Sequence, residues 1–169
     1  MLDLKVSPLG PLDFYLNSPL QNVISNCYIS GAHPYSWEEL NRNATEIVKL
    51  FAEAFHELNM SNFGNLNKEG SYLLANLSAY HYADAIKIIL ANIHENFDLS
   101  TTKHGCNALN FTTSRLDFMA SDDKNYVFAV IGRVKKVQDL LTSNGLKPEK
   151  CLYPFYTAEE LKAQYLQRH

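Results

Sequence analysis

The longest unbroken pattern in the sequence is an apolar stripe that begins at Trp37. Its members recur at positions i, i+3, i+4 and i+7, which places them on one face of an α-helix. They are Trp37, Leu40, Ala44, Ile47, Val48, Phe51, Ala54, Phe55 and Leu58. Ser36 and Glu39 form a capping-box pattern at the start of the stripe. We predict one long helix from Trp37 to about Met60, with Asn41–Asn43 as the place where two helices could instead meet.

The rest of the chain also shows helical spacing, and no stretch alternates with a period of two. The predicted helices are 20–29, 72–79, 83–93, 107–119, 121–144 and 157–167, and 12–16 is a further short apolar piece. The predicted loops are 61–69, 96–104 and 148–155, after an irregular lead-in at 1–11. Asp122 and Asp123 suit the positive end of a helix, Asn144-Gly145 suits a helix end, and Thr157 with Glu160 repeats the capping box. The sequence therefore predicts an all-α fold in one domain, 1–169.

Composition narrows the class of protein. A content of 46% apolar residues in 169 positions predicts a folded chain with its own core. A formal net charge of −3 gives no reason to expect nucleic-acid binding. No apolar run is long enough to span a membrane, and the first residues lack the pattern of a signal peptide. We therefore expect neither membrane insertion nor a classical export signal, and a cytoplasmic location.

The three cysteines, Cys27, Cys106 and Cys151, are widely spaced and odd in number. They include no Cys-x-x-Cys pair, so neither a disulfide framework nor a zinc site is indicated. We interpret them as small buried apolar residues in a reducing compartment.

Gly70 and Gly105 lie 35 residues apart, a spacing of the size found in helical repeats. The segment between them resembles an ankyrin repeat. Gly70 matches the repeat glycine, Tyr72–Ala75 the opening of the first helix, His81-Tyr82 the turn, and Ala85–Leu90 the core of the second helix. The Thr-Pro of the family's motif is absent.

Weaker copies of the motif lie on both sides of this unit. They are Gly31–Tyr35, Glu46–Phe51, Gly105–Thr112 and Val137–Leu141 with Gly145–Pro148. The resemblance implies a stacked array of helical hairpins with divergent ends, in which 157–167 is a C-terminal capping helix. It also implies a non-catalytic module that binds another protein and needs no cofactor. The asparagine-rich, divergent repeats are similar in style to effectors that intracellular bacteria deliver into a host cytosol.

Binding faces of ankyrin-like arrays are built from loop tips and first-helix residues. The residues that fall on such positions, and that we predict to contact a partner, are Tyr72, Asn76, Tyr80, His81, Tyr82, His104, Asn107 and Phe111. Tyrosine is a good anchor, since it offers a large contact area at a small entropic cost. The alternative is that these rings belong to the core.

The sequence gives weaker evidence for a catalytic function than for a binding function. His104 and Cys106 could form a thiol–imidazole pair, but residues two apart do not face each other on a helix. The chain could also be a regulatory or N-terminal portion of a larger enzyme. The paired glutamates are explained by the capping boxes, no local spacing suggests a metal site, and Gly132 is interpreted as a packing glycine within a helix. We predict no catalytic residue, no metal and no cofactor.

Overall fold

The computed structural model describes residues 36–57, 67–92, 99–100 and 104–169. The helices are α1 (Trp37–Glu57), α2 (Asn67–Ala79), α3 (Ala83–Asn92), α4 (Ala108–Phe111), α5 (Lys124–Ser143) and α6 (Ala158–Arg168). A 3-10 turn spans Asp117–Ala120. These ranges contain helices and no strand, which confirms the all-α prediction. The lead-in 1–11, the apolar piece 12–16, the helix predicted at 20–29 and most of the loop 96–104 lie outside the described residues.

Helix α1 confirms the long helix predicted from the apolar stripe. Leu40, Ala44 and Val48 are buried, and the helix packs mainly against α3. The possible break at Asn41–Asn43 does not occur. The Asn41 side chain is engaged elsewhere, because its Nδ2 donates a hydrogen bond to the Asp84 carboxylate at 3.2 Å. It therefore does not compete for the backbone bonds of its own helix.

Helices α2 and α3 form a hairpin around the turn 80–82. The predicted loop 61–69 is wrong in its last three residues, since α2 already begins at Asn67. Gly70 therefore lies within a helix, whereas Gly105 has a φ of +78° in a turn. The two glycines behind the 35-residue spacing thus differ in conformation. The hairpin contributes half of the buried residues of the first hydrophobic core, among them Leu73, Leu74, Leu77, Ile86 and Ile89.

The helix predicted over 107–119 is wrong in extent, because α4 has only four residues. Asn107 caps it, with its side chain accepting from the backbone N–H groups of Leu109 and Asn110. The side-chain hydroxyls of the three residues that follow donate hydrogen bonds to nearby backbone carbonyls. Thr112 Oγ1 donates to the Leu109 carbonyl at 2.6 Å, and Ser114 Oγ donates to the Phe111 carbonyl at 2.9 Å. Such local bonds offer the backbone an alternative to continued helix.

Helix α5 begins at Lys124, three residues later than predicted, whereas α6 begins with its predicted capping box. Asp123 caps α5 by accepting the Tyr126 N–H at 3.1 Å, and Gly145 ends that helix with a φ of +86°. Thr157 and Glu160 form the reciprocal capping box of α6. The interpretation of Gly132 as a packing glycine is wrong. A Cβ placed on it would meet no atom of the described residues within 4 Å.

Helix α5 belongs to two hydrophobic cores. Its C-terminal half, with Val137 and Leu141, joins the core of α1, α2 and α3. Its N-terminal half, with Val127, Ile131 and Val134, packs against α6 and the 3-10 turn. The middle of α5 therefore lies where the two cores meet.

The connector 146–157 runs back along α4 and corrects the prediction for the cysteines. Cys106 and Cys151 form a disulfide, so these two are not free thiols. Cys27 lies outside the described residues. The pairing was not readable from spacing, because the two partners are 45 residues apart and meet only when the connector returns to α4.

Candidate interaction surface

The residues predicted to contact a partner divide into two groups by exposure. His81, Tyr82, Asn107 and Phe111 are buried. Asn76 and Tyr80 are partly exposed, and His104 is exposed. Tyr72 lies in α2, and its side chain is outside the described residues. Only part of the predicted set therefore presents side chains at the surface.

The buried members have internal roles. Asn107 Nδ2 donates to the Lys147 carbonyl at 2.6 Å, which ties α4 to the connector. The Phe111 ring packs edge-on against Tyr153, with centroids 5.3 Å apart. The Tyr82 ring lies 6.2 Å from that of Trp37 and is fully buried. For Tyr82, the alternative that the tyrosines are core residues is confirmed.

His81 occupies the left-handed position of the α2–α3 turn, with a φ of 61°. Its Nε2 lies 2.9 Å from the Thr112 carbonyl oxygen. A carbonyl only accepts, so Nε2 carries the proton and donates. Burial lowers the pKa of His81 from 6.5 to about 4, the bond to Thr112 opposes this, and the charges of Arg133 and Arg115 add to the lowering. The ring is therefore neutral near pH 7 and links the hairpin to the end of α4.

Two arginines stack on two aromatic rings around this turn. The Arg133 guanidinium carbon lies 4.1 Å from the centroid of the Trp37 ring, and that of Arg115 lies 5.3 Å from the centroid of Tyr80. Both distances are within the range of a cation–π contact. Trp37 Nε1 donates to the Tyr80 carbonyl at 3.0 Å, which joins the two pairs. We call Trp37, Tyr80, Arg115 and Arg133 the aromatic–arginine surface.

A carboxylate helps to fix this surface. Arg133 Nη2 lies 3.1 Å from Glu38 Oε1, at the first turn of α1. A backbone hydrogen bond and the nearby Arg133 charge lower the pKa of Glu38. The Arg133 side chain is only 21% exposed, so its guanidinium is held in place between Trp37 and Glu38. Arg115 is exposed. The surface thus combines preorganised rings with an accessible cation.

Sequence reasoning found Tyr80 but missed Trp37, Arg115 and Arg133 as members of one site. These residues come from α1, from the segment between α4 and the 3-10 turn, and from α5, and nothing local in the sequence joins them. The only signal available was residue type, because Trp37 is the single tryptophan of the chain.

The described residues contain no group of three or more histidine, cysteine, aspartate or glutamate side chains able to hold a metal. Cys106 is fully buried and disulfide-bonded, so in this state it has no thiolate to act as a nucleophile. None of the described helices combines the length and hydropathy needed to cross a bilayer.

Comparison with known proteins gives no relative. No protein-family model, no curated protein sequence and no solved structure matches this chain.

Proposed function

We propose that this chain is a non-catalytic helical module that binds another protein through the aromatic–arginine surface. The supporting observation is the stacking of Arg133 on Trp37 and of Arg115 on Tyr80, joined by the hydrogen bond from Trp37 to Tyr80. Tryptophan, tyrosine and arginine are the residue types that contribute most binding energy at protein interfaces. Rings already fixed by internal contacts lose little further freedom when a partner binds.

The ankyrin-like array belongs to this proposal. It is supported by the α2–α3 hairpin, whose turn carries His81 and Tyr82 at the positions of the family's turn residues. The units on either side are less alike, since α2 has 13 residues and α3 has 10, whereas α4 has 4 and α5 has 20. We therefore propose one ankyrin-like hairpin within a divergent helical stack.

Location is also part of the proposal. A role as a bacterial effector, active in the cytoplasm or in a host cytosol, stays a prediction. The Cys106–Cys151 disulfide is a bond typical of oxidising compartments. It supports an exported protein that crosses such a compartment.

The test begins with affinity capture by the purified wild-type chain and identification of captured proteins by mass spectrometry. Dissociation constants for the strongest partner are then measured by biolayer interferometry. We expect Tyr80→Ala and Arg115→Ala each to weaken binding at least about tenfold, the effect of losing an interface anchor. Tyr126→Ala and Arg168→Ala are matched controls, because both residues are exposed and lie outside this surface.

Thermal unfolding of all four variants checks that each is folded. Equal affinity of wild type, Tyr80→Ala and Arg115→Ala for the captured partner would reject the aromatic–arginine surface. Loss of binding by the two controls as well would show that another face is responsible.

A further inference from the structure

A second surface feature lies between α5 and α6, where an open groove has a volume of about 260 Å³. Its floor is apolar and includes Phe128, Ile131 and Ala158, and Gly132 opens onto it. The groove is smaller than the roughly 300–1,000 Å³ of sites that enclose a whole small molecule. Its size suits one large side chain that enters from outside.

Gly132 is the unexpected residue in this groove. A glycine in the interior of a helix costs about 1 kcal/mol relative to alanine. A left-handed backbone or a closely packed neighbour would require glycine, but Gly132 is helical and an added Cβ would meet no atom within 4 Å. Neither the backbone conformation nor the packing of the described residues therefore requires the missing side chain. Its absence does keep the floor of the groove open.

Two lysines lie beside the Phe128 ring at the edge of the groove, where Lys162 is a lining residue and Lys124 is its neighbour across the ring. The Lys124 and Lys162 ammonium nitrogens lie 5.4 and 5.1 Å from the centroid of the Phe128 ring. Neither lysine forms an ion pair with any described residue, although Asp123 is the neighbour of Lys124 in sequence.

Lys135 lines the same groove, but its positive charge already faces carboxylates of this chain. Its nitrogen lies 3.0 Å from an Asp139 carboxylate oxygen and 3.8 Å from one of Glu159. Two carboxylates face the single Lys135, so with Lys124 and Lys162 these five side chains carry a formal net charge of +1, and the two lysines without an ion pair among the described residues are Lys124 and Lys162. An occupant that brings carboxylates to both sides of an apolar group would complement this pattern.

We propose that the groove binds an acidic segment of a partner protein. One large apolar side chain of that segment packs on Phe128 and Ile131 over Gly132. Carboxylates that flank it meet Lys124 and Lys162. The groove shares no residue with the aromatic–arginine surface, so this proposal stands or fails independently of that one.

The probe is a short fluorescein-labelled peptide with a central leucine flanked by glutamates, measured by fluorescence polarisation at low salt. Two further peptides replace the glutamates by glutamines or the leucine by serine. We expect saturable binding of the first peptide to the wild-type chain, about tenfold weaker binding of the other two, and weaker binding as salt rises.

Two variants of the protein test the two halves of the groove. Gly132→Leu fills the floor and places a better helix former in α5, so it should fold at least as well as wild type. Lys124→Glu combined with Lys162→Glu reverses the rim. We expect each variant to bind the glutamate–leucine peptide at least about tenfold more weakly. Lys87→Glu and Lys150→Glu, at exposed lysines outside the groove, should leave binding unchanged.

Absence of saturable binding, or equal binding by wild type and Gly132→Leu, would overturn the proposal. Light scattering adds one further outcome. If the wild-type chain is a dimer that Gly132→Leu converts to a monomer, the occupant is a second copy of this chain, and the acidic-partner proposal is rejected.

Discussion

The buried His81 imidazole should make the stability of this protein depend on pH. In the folded chain its pKa is lowered to about 4, chiefly by burial, against 6.5 for an ordinary histidine. Between these values the unfolded chain binds a proton that the folded chain does not. Stability is therefore complete above about pH 6.5, falls as the pH drops toward 4, and falls no further on this account below that value.

The size of the effect follows from the shift in pKa. The difference between 6.5 and about 4 corresponds to about 3 kcal/mol of unfolding free energy between neutral pH and pH 4. That is a large part of the about 5–15 kcal/mol typical of a folded domain. Part of this shift arises because a protonated His81 would place its positive charge near those of Arg133 and Arg115, which lowers its pKa further.

The perturbation is His81→Asn, because asparagine accepts the left-handed backbone at this position and does not titrate. Urea unfolding of both chains is measured from pH 7.5 to pH 4.5. We expect wild type to lose about 2–3 kcal/mol more than the variant across this range.

His104→Asn is the matched control, since His104 also has a positive φ but is exposed. It should follow the pH dependence of wild type. Parallel loss of stability in wild type and His81→Asn would refute the assignment of the pH dependence to the buried imidazole.

Two further predictions concern the connector 146–157. The disulfide closes a loop across 45 residues, so its removal by reduction or by Cys106→Ala with Cys151→Ala should lower the unfolding free energy by up to about 4 kcal/mol; identical urea midpoints with and without reductant would contradict this. Asn110→Ala should cost about 3 kcal/mol, because the buried amide bonds to backbone groups of Glu149, Tyr153 and Asn107. Asn125→Ala, at an exposed position of α5, should stay within about 0.5 kcal/mol of wild type.

Much of the helical structure was predictable from local signals. The starts of α1, α5 and α6 follow caps at Ser36, Asp123 and Thr157 that are visible in the sequence. The errors have local causes as well. The polar residues of 61–69 suggested a loop although the helix already begins at Asn67, and the hydroxyl groups after α4 ended a helix whose apolar spacing continued.

The candidate surface was not predictable in the same way. Trp37 and Arg133 meet because α5 packs across the first core, and no rule of spacing relates positions so far apart in sequence. Tyr80 and Tyr82 likewise look alike in the local sequence, but Tyr82 is buried whereas Tyr80 is partly exposed. Residue type indicated which side chains suit an interface, but only the packing of the helices showed which of them reach the surface.

Helix α5 carries a residue of each proposed binding surface at neighbouring positions. Gly132 opens the groove against α6, and Arg133 stacks on Trp37 of α1. Consecutive residues of an α-helix point about 100° apart, so the two surfaces lie on different sides of one helix. A partner that occupied both would have to reach around α5, and Gly132→Leu with Arg115→Ala would then weaken it by more than either change alone. Two separate partners would each respond to one substitution. Measuring both variants against every captured protein distinguishes these arrangements, because filling the groove leaves the contact between Arg133 and Trp37 in place.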